Sequence, residues 1–142
     1  MDYTKLAEEF LQKIYRLSKH STHKEINESM QGEIFALQYI AFHKGAVQPS
    51  EISNITHVSS ARVAATLNSL ESKGLITRRI DTDDRRRILV ELTTNGKEEA
   101  DKYFQMILKK VAKMLSGLGE HDATEYVRII GRLSDILAKS HE

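Results

Sequence analysis

A mainly α fold carrying one two-stranded β-hairpin, in a single domain over residues 1–142, is predicted by three observations. Apolar residues recur at helical spacing at both ends and in the middle of the chain. The spacing switches once to alternation, between Leu75 and Leu92. The 142 residues suffice for one ordinary domain of about 100–200 residues. At 40% hydrophobic and 29% charged, with one Pro and seven Gly, the composition is that of a chain that folds rather than of a disordered or collagen-like one. The absence of Cys excludes disulfides, thiolate zinc clusters and thiol nucleophiles. The apolar runs fall far short of the ~20 residues that span a bilayer, and Met1-Asp2-Tyr3 opens an amphipathic pattern rather than a secretion signal. A cytoplasmic protein without a membrane role is expected.

The elements follow from the spacing. Leu6, Phe10, Ile14 and Leu17 form one stripe, so residues 3–19 are a helix. His20 to Met30 is polar and aperiodic, and no helix is expected there. Ile34, Leu37, Ile40 and Ala41 restore the helical period until Lys44-Gly45. Pro49 suits a first helical position, because its missing N–H would have no partner there, and Ile52 and Ile55 give a short helix one buried face. Thr56-His57-Val58-Ser59 interrupts. Ser59 or Ser60 then caps a helix whose Val63, Leu67 and Leu70 face a core, and Gly74 ends it. Leu75–Ile80 and Arg87–Leu92 alternate and flank a polar tip, which predicts a hairpin with Ile88, Val90 and Leu92 on one face. Helical spacing returns from Asn95 through Ala100, Phe104, Ile107, Leu108, Val111 and Leu115, and Gly117 and Gly119 break it. Asp122 with Glu125 predicts a capping pair for a last helix bearing Val127, Ile130, Leu133 and Leu137.

Charge locates the functional segment. The formal net charge is only +1, yet residues 73–87 hold six of the 21 Lys and Arg against three Asp. Two helices joined by a tight turn, the second followed by a basic hairpin, form a winged helix-turn-helix arrangement. On a helical wheel Val63, Leu67 and Leu70 lie within about 60° of one another, leaving Ala61, Arg62, Ala65, Asn68 and Ser69 outward and Thr66 at the margin. Such a small polar face enters a DNA major groove, where Arg pairs with guanine and Ser or Thr meets bases or phosphates. Ser59 and Ser60 leave the helix N-terminus open to a phosphate. An ordinary solvated helix presents the same face, so the hairpin decides. Arg85, Arg86 and Arg87 repel one another unless an anion lies close, and phosphate supplies one. Asp84 stands where it can hold Arg86 through a charge-assisted hydrogen bond.

The run Asp81-Thr82-Asp83-Asp84-Arg85-Arg86-Arg87-Ile88-Leu89-Val90-Glu91-Leu92-Thr93, followed by Asn95-Gly96, resembles the wing signature of the MarR (multiple antibiotic resistance regulator) transcription factors. Ser59 through Leu70-Glu71-Ser72-Lys73-Gly74-Leu75-Ile76 is similar to that family's recognition helix and its exit. Thr82 stands where the family often has Pro, which implies a less rigid wing. The resemblance implies a DNA-binding lobe over residues 31–96, with Ser59, Ser60, Arg62, Ala65, Thr66 and Ser69 reading the major groove. Arg78, Asp84, Arg85, Arg86 and Arg87 would form the wing contact, with Asp84 and Arg86 as its pair.

The helices outside this lobe, residues 1–30 and 97–142, carry apolar stripes longer than a fifty-residue lobe can cover. A two-fold homodimer would bury them, an intramolecular bundle being the alternative. Such a dimer spaces its recognition helices about one DNA turn apart and reads a pseudo-palindromic double-stranded operator. The resemblance further implies a cleft for a small aromatic or anionic effector, with His20, His23, Met30, Phe35, Tyr39 and Phe42 as lining candidates by location alone. The expected function is therefore a ligand-relieved repressor. A winged-helix protein-interaction module and a metal-responsive regulator are the alternatives. Neither a cofactor nor a compact metal-ligand motif is expected from the six His. With no glycine-rich phosphate loop and no Ser-His-Asp order, no enzyme is expected either.

Overall fold

The computed structural model describes residues 1–140; His141 and Glu142, the end of the expected C-terminal dimerisation segment, lie outside the described residues. Seven helices and one hairpin follow in order among the described residues: α1 Tyr3–Ser18, α2 Ser21–Ser29, α3 Gly32–Phe42, α4 Pro49–Thr56, α5 Ser60–Ser72, β1 Ile76–Ile80, β2 Ile88–Leu92, α6 Thr94–Ser116 and α7 Glu120–Ser140. The chain divides into two compact units, Met1–Ile107 and Leu108–Glu142, the division falling inside α6.

In the first unit, Asp2 caps α1 by accepting from the Thr4 N–H at 3.0 Å. The polar segment after it is a helix, α2, contrary to expectation. Its half-buried positions, Thr22, His23, Glu25, Ile26 and Ser29, recur at helical spacing but are mostly polar, so hydrophobic periodicity cannot register them. Pro49 opens α4, and the Gln48 N–H donates to the Glu51 carboxylate at 2.8 Å. The chain turns out of α4 at His57, held in the left-handed region at φ 57°. Ser59 then caps α5 by accepting from the Arg62 N–H.

The core sits between α3, α4, α5 and the hairpin. Ala36, Leu37 and Ile40 meet Ile52, the predicted stripe Val63, Leu67 and Leu70, and then Ile76, Val90 and Ala100. Leu67 is 1% exposed, and burying such a side chain contributes about 1.5–3 kcal/mol. Antiparallel pairing runs from Ile76↔Leu92 to Ile80↔Ile88. Of the three β2 residues expected on one buried face, only Val90 is sealed, while Ile88 is 45% exposed because the hairpin extends past the core. Val47 adds a bridge that the sequence reading lacked, exchanging hydrogen bonds of 3.0 and 2.8 Å with Val90.

The end of α5 is a Schellman turn. The Gly74 N–H reaches the Glu71 carbonyl, the Leu75 N–H reaches that of Leu70, and Gly74 has φ 74°. From the other side Thr93 donates its hydroxyl to the Gly74 carbonyl at 2.6 Å and its N–H to that of Leu75 at 3.0 Å. Its hydroxyl also accepts from the Gly96 N–H, which caps α6. The first turns of α6 belong to this unit: Ala100 is buried in the core and its carbonyl accepts from Gln38 at 2.8 Å.

In the second unit, Gly119, at φ 83°, separates the end of α6 from α7. The expected Asp122–Glu125 capping pair does not form. The helix already begins at Glu120, so Asp122 lies inside its first turn, and Glu125 instead pairs with Arg128 at 2.8 Å. No residue of α7 is buried, and Val127, Ile130, Leu133 and Leu137 are each about half exposed.

Gly96 provides the sharpest test of this packing, because a Cβ there would lie 1.9 Å from the Leu75 carbonyl oxygen. Gly96→Ala is expected to cost at least about 1–3 kcal/mol in urea unfolding. Gly131→Ala on α7, with nothing within 4 Å of the added methyl, is expected to cost nothing.

Candidate nucleic-acid interface

Two elements carry the sequence-predicted interface residues, α5 and the wing β1–β2. On α5, Ser59, Ser60, Arg62 and Ala65 are exposed as the wheel predicts, while Thr66 and Ser69 are half-buried. No polar group of the described residues holds the Arg62 guanidinium. Ser69 is already engaged. Its hydroxyl, after the Lys73 ammonium 2.8 Å away, holds the Glu33 carboxyl below the usual range, tying α5 to α3.

The three consecutive arginines of the wing are sorted by two aspartates. Arg87 turns inward and grips the Asp81 carboxylate with Nε at 3.0 Å and Nη2 at 2.6 Å. Asp81, only 5% exposed, also accepts from the Asp83 N–H at 3.0 Å, and its own N–H donates to the Arg87 carbonyl. This Asx turn shapes the tip at Thr82, where the resembling family often has proline. Arg86 is 90% exposed at its side chain, yet Asp84 fixes its base, accepting from the backbone N–H and from Nε, both at 3.1 Å. Arg85 is exposed and, among the described residues, no acidic partner holds it. The mutual repulsion expected of the triplet is thus relieved within the hairpin for two of its members, and one cation is left for solvent or an anion.

Arg78 stands apart from the tip. Its guanidinium reaches back to α5, with Nε 3.2 Å from Glu71 Oε2 and Nη2 3.0 Å from Glu71 Oε1 and 2.6 Å from Asn68 Oδ1. Asp81 is the residue that sequence reasoning missed as an organiser. It was read as part of a polar tip, although Asp two residues before another turn former is an Asx-turn signal.

The first unit also contains a cavity of about 620 Å³, lined in part by Gln38, Phe42, His43, Lys97, Asp101 and Phe104. Phe42 and Phe104 meet edge to face with ring centroids 5.2 Å apart. Two buried polar atoms beside it, Gln38 Oε1 and His43 Nδ1, have no hydrogen-bond partner. Of the six effector-cleft candidates only Phe42 lines this cavity. Phe35 and Tyr39 stack on each other, with Tyr39 also against the core. His20 precedes α2, His23 is half-buried within it, and Met30 is 60% exposed at its end. Among the described residues no three His, Asp or Glu side chains gather as metal ligands, and no helix is long and apolar enough to cross a membrane.

The wing should respond to acid. The Asp83 N–H and then the Arg87 guanidinium lower the pKa of Asp81, and Arg86 lowers that of Asp84. Folded values below the ordinary carboxylate pKa of about 4 mean that these contacts contribute fully above that pH and are lost as pH falls through the lower values. Amide signals of Asp83 and Arg87 are expected to shift toward those of a loosened tip as pH falls below about 4. Asp81→Asn should show the loosened tip already at neutral pH.

Comparison with known proteins meets this geometry. The model of the MarR family matches residues 30–87. The HTH-type transcriptional repressor YetL of Bacillus subtilis is 26% identical over 92 residues, which cover 65% of this chain and 55% of YetL. YkoM, an HTH-type transcriptional regulator from the same organism, is 23% identical over 80% of this chain and 74% of its own length. The chain thus spans little more than half the length of YetL. Streptococcus pneumoniae FabT, solved in complex with DNA, superimposes with a TM-score of 0.72 at 24% identity, covering 97% of this chain and 99% of FabT. The S. aureus MepR–DNA complex gives 0.67 at 21% identity, covering 90% and 96%. These likenesses establish a shared winged-helix fold. The matched segment contains the helix-turn-helix and the basic tip described above, so over these residues the chain is similar to the MarR family.

Proposed function

We propose that this chain is a sequence-specific DNA-binding transcriptional regulator, a repressor that binds a pseudo-palindromic operator as a homodimer and is released by a small molecule. One observation carries the reading: the unheld Arg62 on the exposed face of α5 and the exposed Arg85 and Arg86 of the wing belong to one folded unit. A helix offering one Arg among small residues fits a major groove. Arginines on a projecting hairpin fit the backbone or minor groove beside it. FabT and MepR, which share the fold, were solved with DNA, and YetL is named a repressor.

The homodimer rests on exposed apolar surface. Leu6, Phe10 and Ile14 of α1 are 43–57% exposed, and α7 presents a comparable stripe. A monomer rarely leaves contiguous patches of this kind in water. The dimerisation helices are assigned to residues 1–30 and 97–142 and the DNA-binding lobe to 31–96. The cavity beside Phe42 and Phe104 is assigned to the effector, its apolar rings offering a stacking surface and Gln38 and His43 offering unsatisfied polar atoms.

Selection from random-sequence duplex DNA tests the reading. An enriched palindrome is expected, with affinity falling steeply with salt. Arg85→Ala should lower the slope of log K against log salt by about one per chain without changing base preference. Arg62→Ala should cost about 1–3 kcal/mol and relax preference at one position in each half-site. Light scattering should give twice the chain mass, and an added small aromatic effector should release the DNA. No enriched sequence, together with unchanged binding by both variants, would reject the regulator reading.

A further inference from the structure

We propose that Arg78 is a positioning residue, not a DNA contact: its fork on Asn68 and Glu71 sets the angle between α5 and the wing, so that both engage one stretch of DNA together. The inference rests on the DNA-binding reading above and assigns Arg78 a role within it.

The hairpin is anchored at its base and unsupported at its tip. Ile76 and Val90 are sealed in the core, whereas Ile80 and Ile88, paired at the far end of the strands, are 62% and 45% exposed. Arg78 lies between these ends, opposite Val90. Among the described residues its guanidinium makes the outermost hydrogen-bonded tie from wing to α5. The geometry is that of a clamp. Asn68 and Glu71 are three residues apart and so neighbours on one helix face, and the rigid planar guanidinium binds both. The Arg78 side chain is 26% exposed, against 90% for Arg86. Its donors are occupied by a carboxylate and an amide within the chain, whereas Arg85 has no acidic partner among the described residues and Arg86, though steered by Asp84, projects into solvent.

Two recognition elements on one body gain from each other only when both fit at once, and that advantage is lost when their relative geometry wanders. Loosening the clamp should therefore weaken specific binding while leaving the number of phosphate contacts unchanged. The charge arithmetic separates this from direct contact. Glu71→Arg adds positive charge beside the interface, which by electrostatics alone tightens DNA binding. A clamp predicts the opposite on a specific site.

The test uses the full chain as Arg78→Glu, Arg78→Gln, Glu71→Arg and the double variant Arg78→Glu/Glu71→Arg, which keeps the original net charge. Hydrogen exchange without DNA is the first arm. Wing amides from Arg79 to Leu89 should exchange faster in each single variant and recover in the double. Wild-type exchange in every single variant would overturn the clamp, whatever the protein binds. The second arm measures affinity for the duplex enriched by selection and for a random duplex of equal length. Each single variant, Glu71→Arg included, should lose about tenfold or more on the enriched duplex with an unchanged salt slope, and the double should regain most of it. A loss in Arg78→Gln with the salt slope reduced by about one, or a gain in Glu71→Arg on the enriched duplex, would overturn the proposal and make Arg78 a phosphate contact. If selection enriches no duplex, the DNA-binding reading falls and the positioning role with it, while the exchange arm separately decides whether the clamp holds the wing.

Discussion

The geometry of the first unit depends on the left-handed turn at Gly74. The end of α5 and Thr93, the residue after β2, hydrogen-bond to the backbone there, and the Thr93 hydroxyl in turn accepts from the Gly96 N–H of α6. Gly74 and Leu75 donate back into α5, and their carbonyls accept from Thr93. A β-carbon at Gly74 would meet no neighbour, so the left-handed φ alone makes glycine the favoured residue. At Gly96 the reason is different, because the α6 backbone passes too close to Leu75 for any side chain. One junction thus ties the end of α5, the end of β2 and the first turn of α6 together, through the short Thr93 side chain and backbone hydrogen bonds.

Charge is laid out on this frame in a graded way. Arg87, nearest the strands, is tied to the buried Asp81, Arg86 is steered by Asp84, and Arg85 is left unheld. Surface ion pairs of this kind contribute little to stability individually, so their value lies in shape. The two aspartates prevent three adjacent guanidinium groups from splaying the hairpin, and they orient the arginines without removing the positive field at the tip. The clamp at Arg78 extends the same principle to the angle at which the hairpin leaves α5.

How much of this could be read from the sequence depended on whether the burying residues were apolar. The stripe of Val63, Leu67 and Leu70, the Ser59 cap, the Pro49 start and the glycine ends were all legible because each follows from local chemistry. The helix α2 was not, because its half-buried side is made of Thr, His, Glu and Ser with a single Ile. Val47 was not either, since its pairing with Val90 joins residues 43 apart in sequence and nothing local announces it. At the wing the residue types and the local Asp84–Arg86 pair were legible, but the partners of Arg87 and Arg78 were not. Composition marks a basic tip and spacing marks Asp84 beside Arg86, whereas the assignment of Arg87 to Asp81 and of Arg78 to Glu71 depends on how the folded chain directs the side chains.

That last distinction governs what a basic run means. Counted as charge, Arg78, Arg85, Arg86 and Arg87 are four equivalent candidates for phosphate. Placed in the fold, two of them hold the hairpin to itself and to α5, one is exposed but steered, and one is unheld. A guanidinium already bound by a carboxylate shares its donors with that partner, so the paired arginines would gain less from a phosphate than the unheld one. The electrostatic pull of the wing is therefore greatest at Arg85, with the exposed but steered Arg86 beside it, at the far end of a hairpin whose inner half is held by Arg87 and Arg78.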